Sequence, residues 1–140
     1  MIDGTLVFTD VGSLVVNSML DLKWTHVLIW LGDWFYEATW PHVKAGPRYH
    51  WRQQLVLPPK QPYAAIQVAG MLEYAEANLG RRYSIEGYIH PERYGKTEGI
   101  YCSQFACECL RAGMVGIPHQ FGYDPDKLLA AMKQLENIRR

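Results

Sequence analysis

The chain lacks an excess of charge of either sign and a long apolar run. Fourteen basic residues balance fourteen acidic ones, so nothing favours a nucleic acid partner or an anionic membrane surface. No apolar stretch approaches the ~20 residues of a spanning helix, so we expect no stable membrane insertion. The N-terminus has no basic segment followed by an apolar one, as a signal peptide would. We therefore expect a cytoplasmic location.

The chain also has few cysteines and no motif for a bound metal or cofactor. Cys102, Cys107 and Cys109 are its only cysteines. Their close spacing on one predicted helix does not suit disulfide geometry, which favours reduced thiols. Cys107 and Cys109 are too close for the usual zinc-ligand pair, and no matching histidine pair exists. The glycines are scattered, so no phosphate-binding loop is predicted.

The 140 residues are enough for one domain, residues 1–140, with an apolar core. The order of elements, strands first and helices after, predicts an α+β fold. Strands are expected at Thr5–Thr9, Thr25–Leu31, Phe35–Thr39 and Tyr49–Leu57, with a brief helix at Ser13–Met19. Helices are expected from Pro62 to just before Gly80, over Tyr101–Ala112 and from Asp124, with an ordered loop over residues 81–98.

Cys102 lies in the first turn of the predicted Tyr101–Ala112 helix. Unpaired N–H groups and the partial positive charge of a helix start favour a thiolate, the reactive form of cysteine. The spacing places Cys102 and Cys109 on the buried face and predicts a more exposed Cys107. Free cysteines also fill cores as small apolar residues, so a structural role is the alternative for all three.

His26 lies in the apolar strand Thr25–Leu31 and is the candidate general base, because an imidazole titrates near neutral pH. Glu37 would lie beside it if the two strands form a hairpin, and could orient the ring. His42 is a rival for that orienting role. A core histidine and a solvent-facing glutamate are the structural alternatives. His50, His90 and His119 are predicted to be surface residues.

All five tryptophans lie between residues 24 and 51, around the candidate histidine. They could line a groove for a substrate, for which Trp24, Trp34 and Trp40 are the candidates. The alternative is that they fill the core under a small sheet.

Several short motifs occur in an order that suggests a family. They are Gly4–Phe8, Trp24–Gly32, Phe35–Thr39, the Leu79-Gly80-x-x-Tyr83 element and Tyr101–Gln104. Together they resemble the permuted papain-like hydrolases of the NlpC superfamily, in the YiiX/YaeF-like branch. This sequence departs from the usual pattern at Asp3-Gly4-Thr5, where Gly-Asp is common, and at Gln104, where a glutamate is frequent.

The resemblance implies a circularly permuted papain-like fold, with a small antiparallel sheet or barrel packed against helices. It implies Cys102 as nucleophile at the start of a helix in the C-terminal half, with His26 as base and Glu37 as the orienting residue. Tyr101, Ser103 and the backbone N–H of Cys102 would lie near the oxyanion or the substrate. No cofactor and no metal are implied.

The expected function is hydrolysis of an amide or isopeptide bond, including cell-wall-type peptides, through a thioester. One alternative is a lipid-ester hydrolase or acyltransferase with the same triad. A second is a non-catalytic binding module on the same fold. The partner is then a peptide-like or acyl substrate, and the sequence does not define the oligomeric state.

Overall fold

An antiparallel sheet forms most of the first half of the chain. The structure, a computed structural model, describes residues 1–10, 23–47, 53–90, 98–117 and 124–138. The strands in these residues are β1 (Thr5–Asp10), β2 (His26–Leu31), β3 (Trp34–Ala38), β4 (Val43–Gly46) and β5 (Gln53–Leu57). They lie in the order β4-β3-β2-β1-β5, and each neighbouring pair is antiparallel. β2, which begins with His26, is therefore the central strand.

Both faces of β2 are buried, which explains why its sequence is apolar at almost every position. Val27 and Ile29 belong to the main core that the sheet shares with the helices. Leu28 points the other way and packs with Val7 and Phe35 in a second buried cluster. A strand that is covered on both faces does not alternate between apolar and polar residues, and the continuous apolar run of β2 predicts such a strand.

The helices lie in the second half of the chain. Those in the described residues are α1 (Ala65–Ala77), α2 (Ile85–Ile89), α3 (Cys102–Ala112) and α4 (Pro125–Ile138). α3 packs against β2, β3, α1 and α4. The two helices α3 and α1 approach closely at Gly70, where an added Cβ would lie 2.3 Å from the carbonyl oxygen of Ala112. This packing fixes the helix that carries Cys102 relative to the strand that carries His26.

The α+β class predicted from the sequence, with an antiparallel sheet packed against helices, is confirmed. α1 ends before Gly80, whose φ of +83° suits glycine at that position. α4 begins at Pro125, and the carboxylate of Asp124 accepts the N–H of Lys127 at 2.8 Å as a cap. None of the described helices is long and apolar enough to cross a membrane.

Some local predictions differ from the structure. Cys107 was predicted to be more exposed but is fully buried, because α3 is enclosed by two strands and two other helices. The predicted loop over residues 81–98 contains the short helix α2, and β4 lies where no strand was expected. The predicted helix at Ser13–Met19 and the first part of the predicted strand Tyr49–Leu57 lie outside the described residues.

Candidate active site

His26 is the first residue of β2 and lies at the end of the sheet where that strand begins. It stands opposite Thr9 in the register of β1 and β2. The N–H of Thr25 donates to the carbonyl of Thr9 at 3.0 Å, which extends the pairing by one residue before the strand. His26 is 5% exposed. The imidazole is thus held on a rigid central strand rather than on a loop.

The C-terminal helix holds the chain that leads into His26. Asp126, in the first turn of α4, accepts the N–H groups of Lys23 and Trp24, each at 2.8 Å. Hydrogen bonds to a carboxylate are stronger than those between neutral groups. The Lys23 ammonium also lies 5.7 Å from the centre of the Trp24 ring. The entry to β2 is therefore tied to a helix more than one hundred residues away.

Glu37 lies on the neighbouring strand β3, on the same face as His26. The register pairs Ile29 with Tyr36, and extending it by one residue places Glu37 opposite Leu28. That position is diagonal to His26, within reach of a long side chain. The Nε2–H of His26 donates to Oε2 of Glu37 at 2.6 Å. The structure thus brings together the two residues that the predicted hairpin would place side by side.

Cys102 is the first residue of α3, directly after the N-cap residue Tyr101. The side chain of Gln104 accepts the backbone N–H of Tyr101 at 3.3 Å, which stabilises this start of the helix. The Cys102 sulfur lies 3.9 Å from the carbonyl oxygen of Thr25. The Cys102 side chain also hydrogen-bonds the imidazole of His26.

The surroundings of His26 stabilise its protonated form. Burial lowers the pKa of His26, but hydrogen bonds to Cys102 and Glu37, together with the negative charges of these groups, outweigh it. Their net effect raises the pKa of His26 from 6.5 to about 9. A histidine held between a cysteine side chain and a carboxylate is the arrangement of an activated cysteine nucleophile. The three side chains therefore form one connected chain of hydrogen bonds.

Tyr83 is a site residue to which the sequence reasoning assigned no role. Its hydroxyl is in hydrogen-bonding range of the Cys102 side chain, and burial, followed by the negative charge of Cys102, raises its pKa above the usual 10. The N–H of Tyr83 donates to the carbonyl of Pro41 at 3.0 Å, and Tyr83 forms a parallel bridge with Ile100. The signal available was the Gly80-x-x-Tyr83 element.

Tyr88, on the short helix α2, is a second residue that the sequence reasoning missed. Its hydroxyl donates to the carbonyl of Thr25 at 2.7 Å. That carbonyl is the one near the Cys102 sulfur. The Tyr88 ring also lies 6.5 Å from the ring of Tyr101, edge to face. No periodic pattern marks Tyr88, because α2 has only five residues.

No family model, curated protein or solved structure matches this chain.

The other predicted site residues occupy different places. Tyr101 and Ser103 flank Cys102 and are buried, while Trp24 is half-buried beside the entry to β2. Trp40 is 62% exposed and precedes Pro41, the backbone partner of Tyr83. Trp34 lies opposite Leu31 at the other end of β2, so the structure does not bring it to the site.

The remaining polar candidates do not join the three central residues. The ring of His42 is directed to the carbonyl of its neighbour Val43, and Glu37 takes the position beside His26. Burial raises the pKa of both Cys107 and Cys109, which favours their neutral thiols. His90 is exposed, whereas His50 and His119 lie outside the described residues. Within the described ranges, no three histidine, cysteine or acidic residues group as metal ligands.

Proposed function

We propose that this protein is a cysteine hydrolase that cleaves an amide or isopeptide bond through a thioester. The observation that carries the proposal is the imidazole of His26, bonded at 2.6 Å to Glu37 on one side and to the Cys102 side chain on the other. A histidine oriented by a carboxylate beside a thiol at a helix start has the composition of an acyl-transfer site. His26 precedes Cys102 in the chain, which agrees with the resemblance to permuted papain-like hydrolases.

In the first half of the reaction, the thiolate of Cys102 attacks the substrate carbonyl carbon. A carbon–sulfur bond forms and the carbonyl π electrons move to oxygen. As the tetrahedral intermediate collapses, the carbon–nitrogen bond breaks and His26 gives its proton to the leaving amine. In the second half, His26 takes a proton from water and the resulting hydroxide attacks the thioester carbonyl. The carbon–sulfur bond then breaks, which releases the carboxylic acid and regenerates the Cys102 thiolate. Glu37 keeps the ring in one orientation throughout.

The developing oxyanion requires hydrogen-bond donors close to Cys102. The backbone N–H of Cys102 has no partner within its own helix, since it belongs to the first turn. We assign the second donor to the Tyr83 hydroxyl, which lies in hydrogen-bonding range of the Cys102 side chain. One such donor contributes about 3–4 kcal/mol to transition-state stabilisation in comparable sites. Tyr83→Phe is therefore expected to lower kcat by about 10²–10³-fold.

The sulfur of Cys102 has no exposed surface in this structure. A substrate therefore reaches it only after side chains around the site move apart. Tyr83 and Tyr88 lie close enough to Cys102 for its negative charge to raise their pKa values, so they are among the side chains that must move. The proposal thus includes an opening step before attack.

The direct test uses covalent trapping and turnover. The protein is incubated with iodoacetamide and, separately, with a panel of peptide-amide reporters, and the modified residue is located by mass spectrometry. We expect modification of Cys102 and loss of turnover in Cys102→Ala, with Cys107→Ala in the same helix as the matched control. Full turnover by Cys102→Ala, or modification of Cys107 in its place, contradicts the proposal.

A lipid-ester substrate is the second candidate, and exposed apolar side chains near the site favour it. Ile85 and Ile89 are four residues apart on α2, so they share a face of the helix that carries Tyr88, and both are exposed. Trp40, the most exposed tryptophan described, adjoins Pro41. Exposed apolar side chains on the helix that carries Tyr88 suit an acyl chain better than a polar peptide.

Paired reporters with the same leaving-group strength separate the two candidates. An acyl-ester reporter with a long chain should be preferred if these exposed apolar side chains bind lipid, and Ile85→Ser should raise its KM without changing the turnover of short amides. A preference for peptide amides that Ile85→Ser does not alter favours the amidase. If neither class turns over while Cys102 is alkylated no faster than a free thiol, the protein is a non-catalytic module.

A further inference from the structure

The carbonyl oxygen of Thr25 is shared by two side chains of the candidate site. The Tyr88 hydroxyl donates to it at 2.7 Å, and the Cys102 sulfur lies 3.9 Å from it. Thr25 is buried, and its N–H is bonded to the carbonyl of Thr9, so the peptide unit cannot turn away easily. The position of this oxygen beside the sulfur is therefore fixed by the sheet.

This oxygen competes with His26 for the thiol proton. A neutral thiol can donate its proton either to the Thr25 carbonyl or to the imidazole. A bond to the carbonyl stabilises the thiol, whereas a thiolate beside the same oxygen is repelled by its partial negative charge. Only transfer to His26 makes Cys102 a nucleophile, so the strength of the carbonyl as an acceptor matters for reactivity.

We propose that Tyr88 is a positioning residue that occupies the Thr25 carbonyl and so directs the Cys102 proton to His26. The short hydrogen bond from the hydroxyl uses one lone pair and offsets the partial charge of the oxygen. The sulfur contact of 3.9 Å is at the outer limit for such a bond, which agrees with an acceptor already in use. This inference rests on the proposed function, since it concerns the same nucleophile.

Tyr88 is suited to this role because its hydroxyl, while protonated, acts as a hydrogen-bond donor to the carbonyl. Burial, followed by the negative charges of Cys102, Asp124 and Asp126, raises the pKa of Tyr88 well above 10, so its hydroxyl stays protonated. The titratable groups that face the Cys102–Tyr88 pair come from three elements and from the segment before α2. They are His26 on β2, Glu37 on β3 through His26, Tyr83 just before α2, and Asp124 and Asp126 at the start of α4.

The experiment measures thiolate formation directly, without a substrate. Ultraviolet absorbance of the thiolate is followed against pH for the wild type and for Tyr88→Phe, each corrected with the same protein carrying Cys102→Ser. In Tyr88→Phe the carbonyl loses the hydroxyl donor and becomes a stronger acceptor for the thiol proton. We expect the midpoint of thiolate formation to rise by about one pH unit, equivalent to about tenfold less thiolate below the midpoint.

Tyr74→Phe is the matched control. Tyr74 lies on α1, where its ring packs against Phe105 and its side chain hydrogen-bonds Arg81. The same atom is lost from a half-buried tyrosine, and the midpoint should stay unchanged. Thermal unfolding of both variants shows whether a change in folding rather than in proton position is responsible.

A second variant keeps the test valid if Tyr88→Phe does not fold. A ring-fluorinated tyrosine at position 88 is nearly the same size but a stronger donor, and should move the midpoint down. An unchanged midpoint in both variants overturns the role of Tyr88 while leaving a His26-dependent thiolate, and so the proposed function, intact. A wild-type thiol that titrates like free cysteine and does not respond to His26→Ala overturns both.

Discussion

Replacing Glu37 by glutamine tests the electrostatics of the candidate site most directly. The rise in the pKa of His26 from 6.5 to about 9 corresponds to about 3 kcal/mol of preference for the protonated ring. This preference has two sources, Cys102 and Glu37, and both must overcome the cost of burial. Glu37→Gln keeps an acceptor oxygen at the same place but removes the negative charge.

We expect the pKa of His26 to fall by about 1–2 units in Glu37→Gln. This range follows from the 1.5–3 kcal/mol typical of a hydrogen bond to a charged group, since glutamine retains part of that bond. The Glu37 side chain is only 17% exposed, so solvent screens the pair weakly. Nuclear magnetic resonance of the imidazole protons against pH measures the shift. If His26 acts as proposed, kcat/KM falls by about 10–100-fold as well.

Glu73→Gln, at an exposed position of α1, makes the same chemical change away from the site and should leave the pKa of His26 unaltered. A His26 that titrates identically in Glu37→Gln and in the wild type would refute the reasoning. In that case the short contact between the two side chains would not carry the charge interaction on which the assigned role of Glu37 depends.

Three further predictions concern stability, measured by denaturant unfolding. Gly70→Ala should lower the free energy of unfolding by about 1–3 kcal/mol, because the added Cβ would lie 2.3 Å from a backbone oxygen of α3. Gly116→Ala is the control and should be neutral, because a Cβ at that position meets nothing within 4 Å. Thr9→Val should raise the free energy of unfolding by about 1 kcal/mol, since the buried Thr9 hydroxyl has no hydrogen-bond partner among the residues that the structure describes. Thr5→Val, which loses a hydrogen bond to a carbonyl, should lower it. The pKa of His26 is higher in the folded state than in the unfolded state. Protonation of His26 therefore contributes fully to the free energy of unfolding below pH 6.5, and this contribution is lost as the pH rises through about 9. Stability should therefore fall across that range, and His26→Phe should flatten the slope; a slope that persists in His26→Phe would assign it to another group.

The sequence was most informative where a periodic pattern or a capping residue is strong. β2 is continuously apolar because both of its faces are covered, and α4 starts at an Asp-Pro pair that is a standard helix start. The proximity of His26 and Glu37 could be anticipated because a tight turn at Gly32 fixes the hairpin that joins β2 to β3. Each of these features depends on residues that are close together in the chain, so the local sequence is enough to predict it.

Features set by distant parts of the chain could not be predicted. Cys107 is off the apolar face of α3 by its spacing, but neighbours on several sides bury it. Tyr83 and Tyr88 lie in a segment without helical or strand periodicity, and they reach the site because backbone pairing with Pro41 and Ile100 places that segment there. β4 is only four residues long and has a single fully buried apolar side chain, Val43.

The carboxylate of Asp126 has a consequence for the order in which the molecule is assembled. It supplies the acceptors for Lys23 and Trp24, which lie 103 and 102 residues earlier in the chain. During synthesis the N-terminal part of a chain emerges first, and contacts of such long range form late. The strand that carries His26 can therefore be made and paired while its entry is still unanchored. The imidazole would acquire its final setting only once α4 has been added, so a partly synthesised chain would hold the thiol and the histidine without an assembled site.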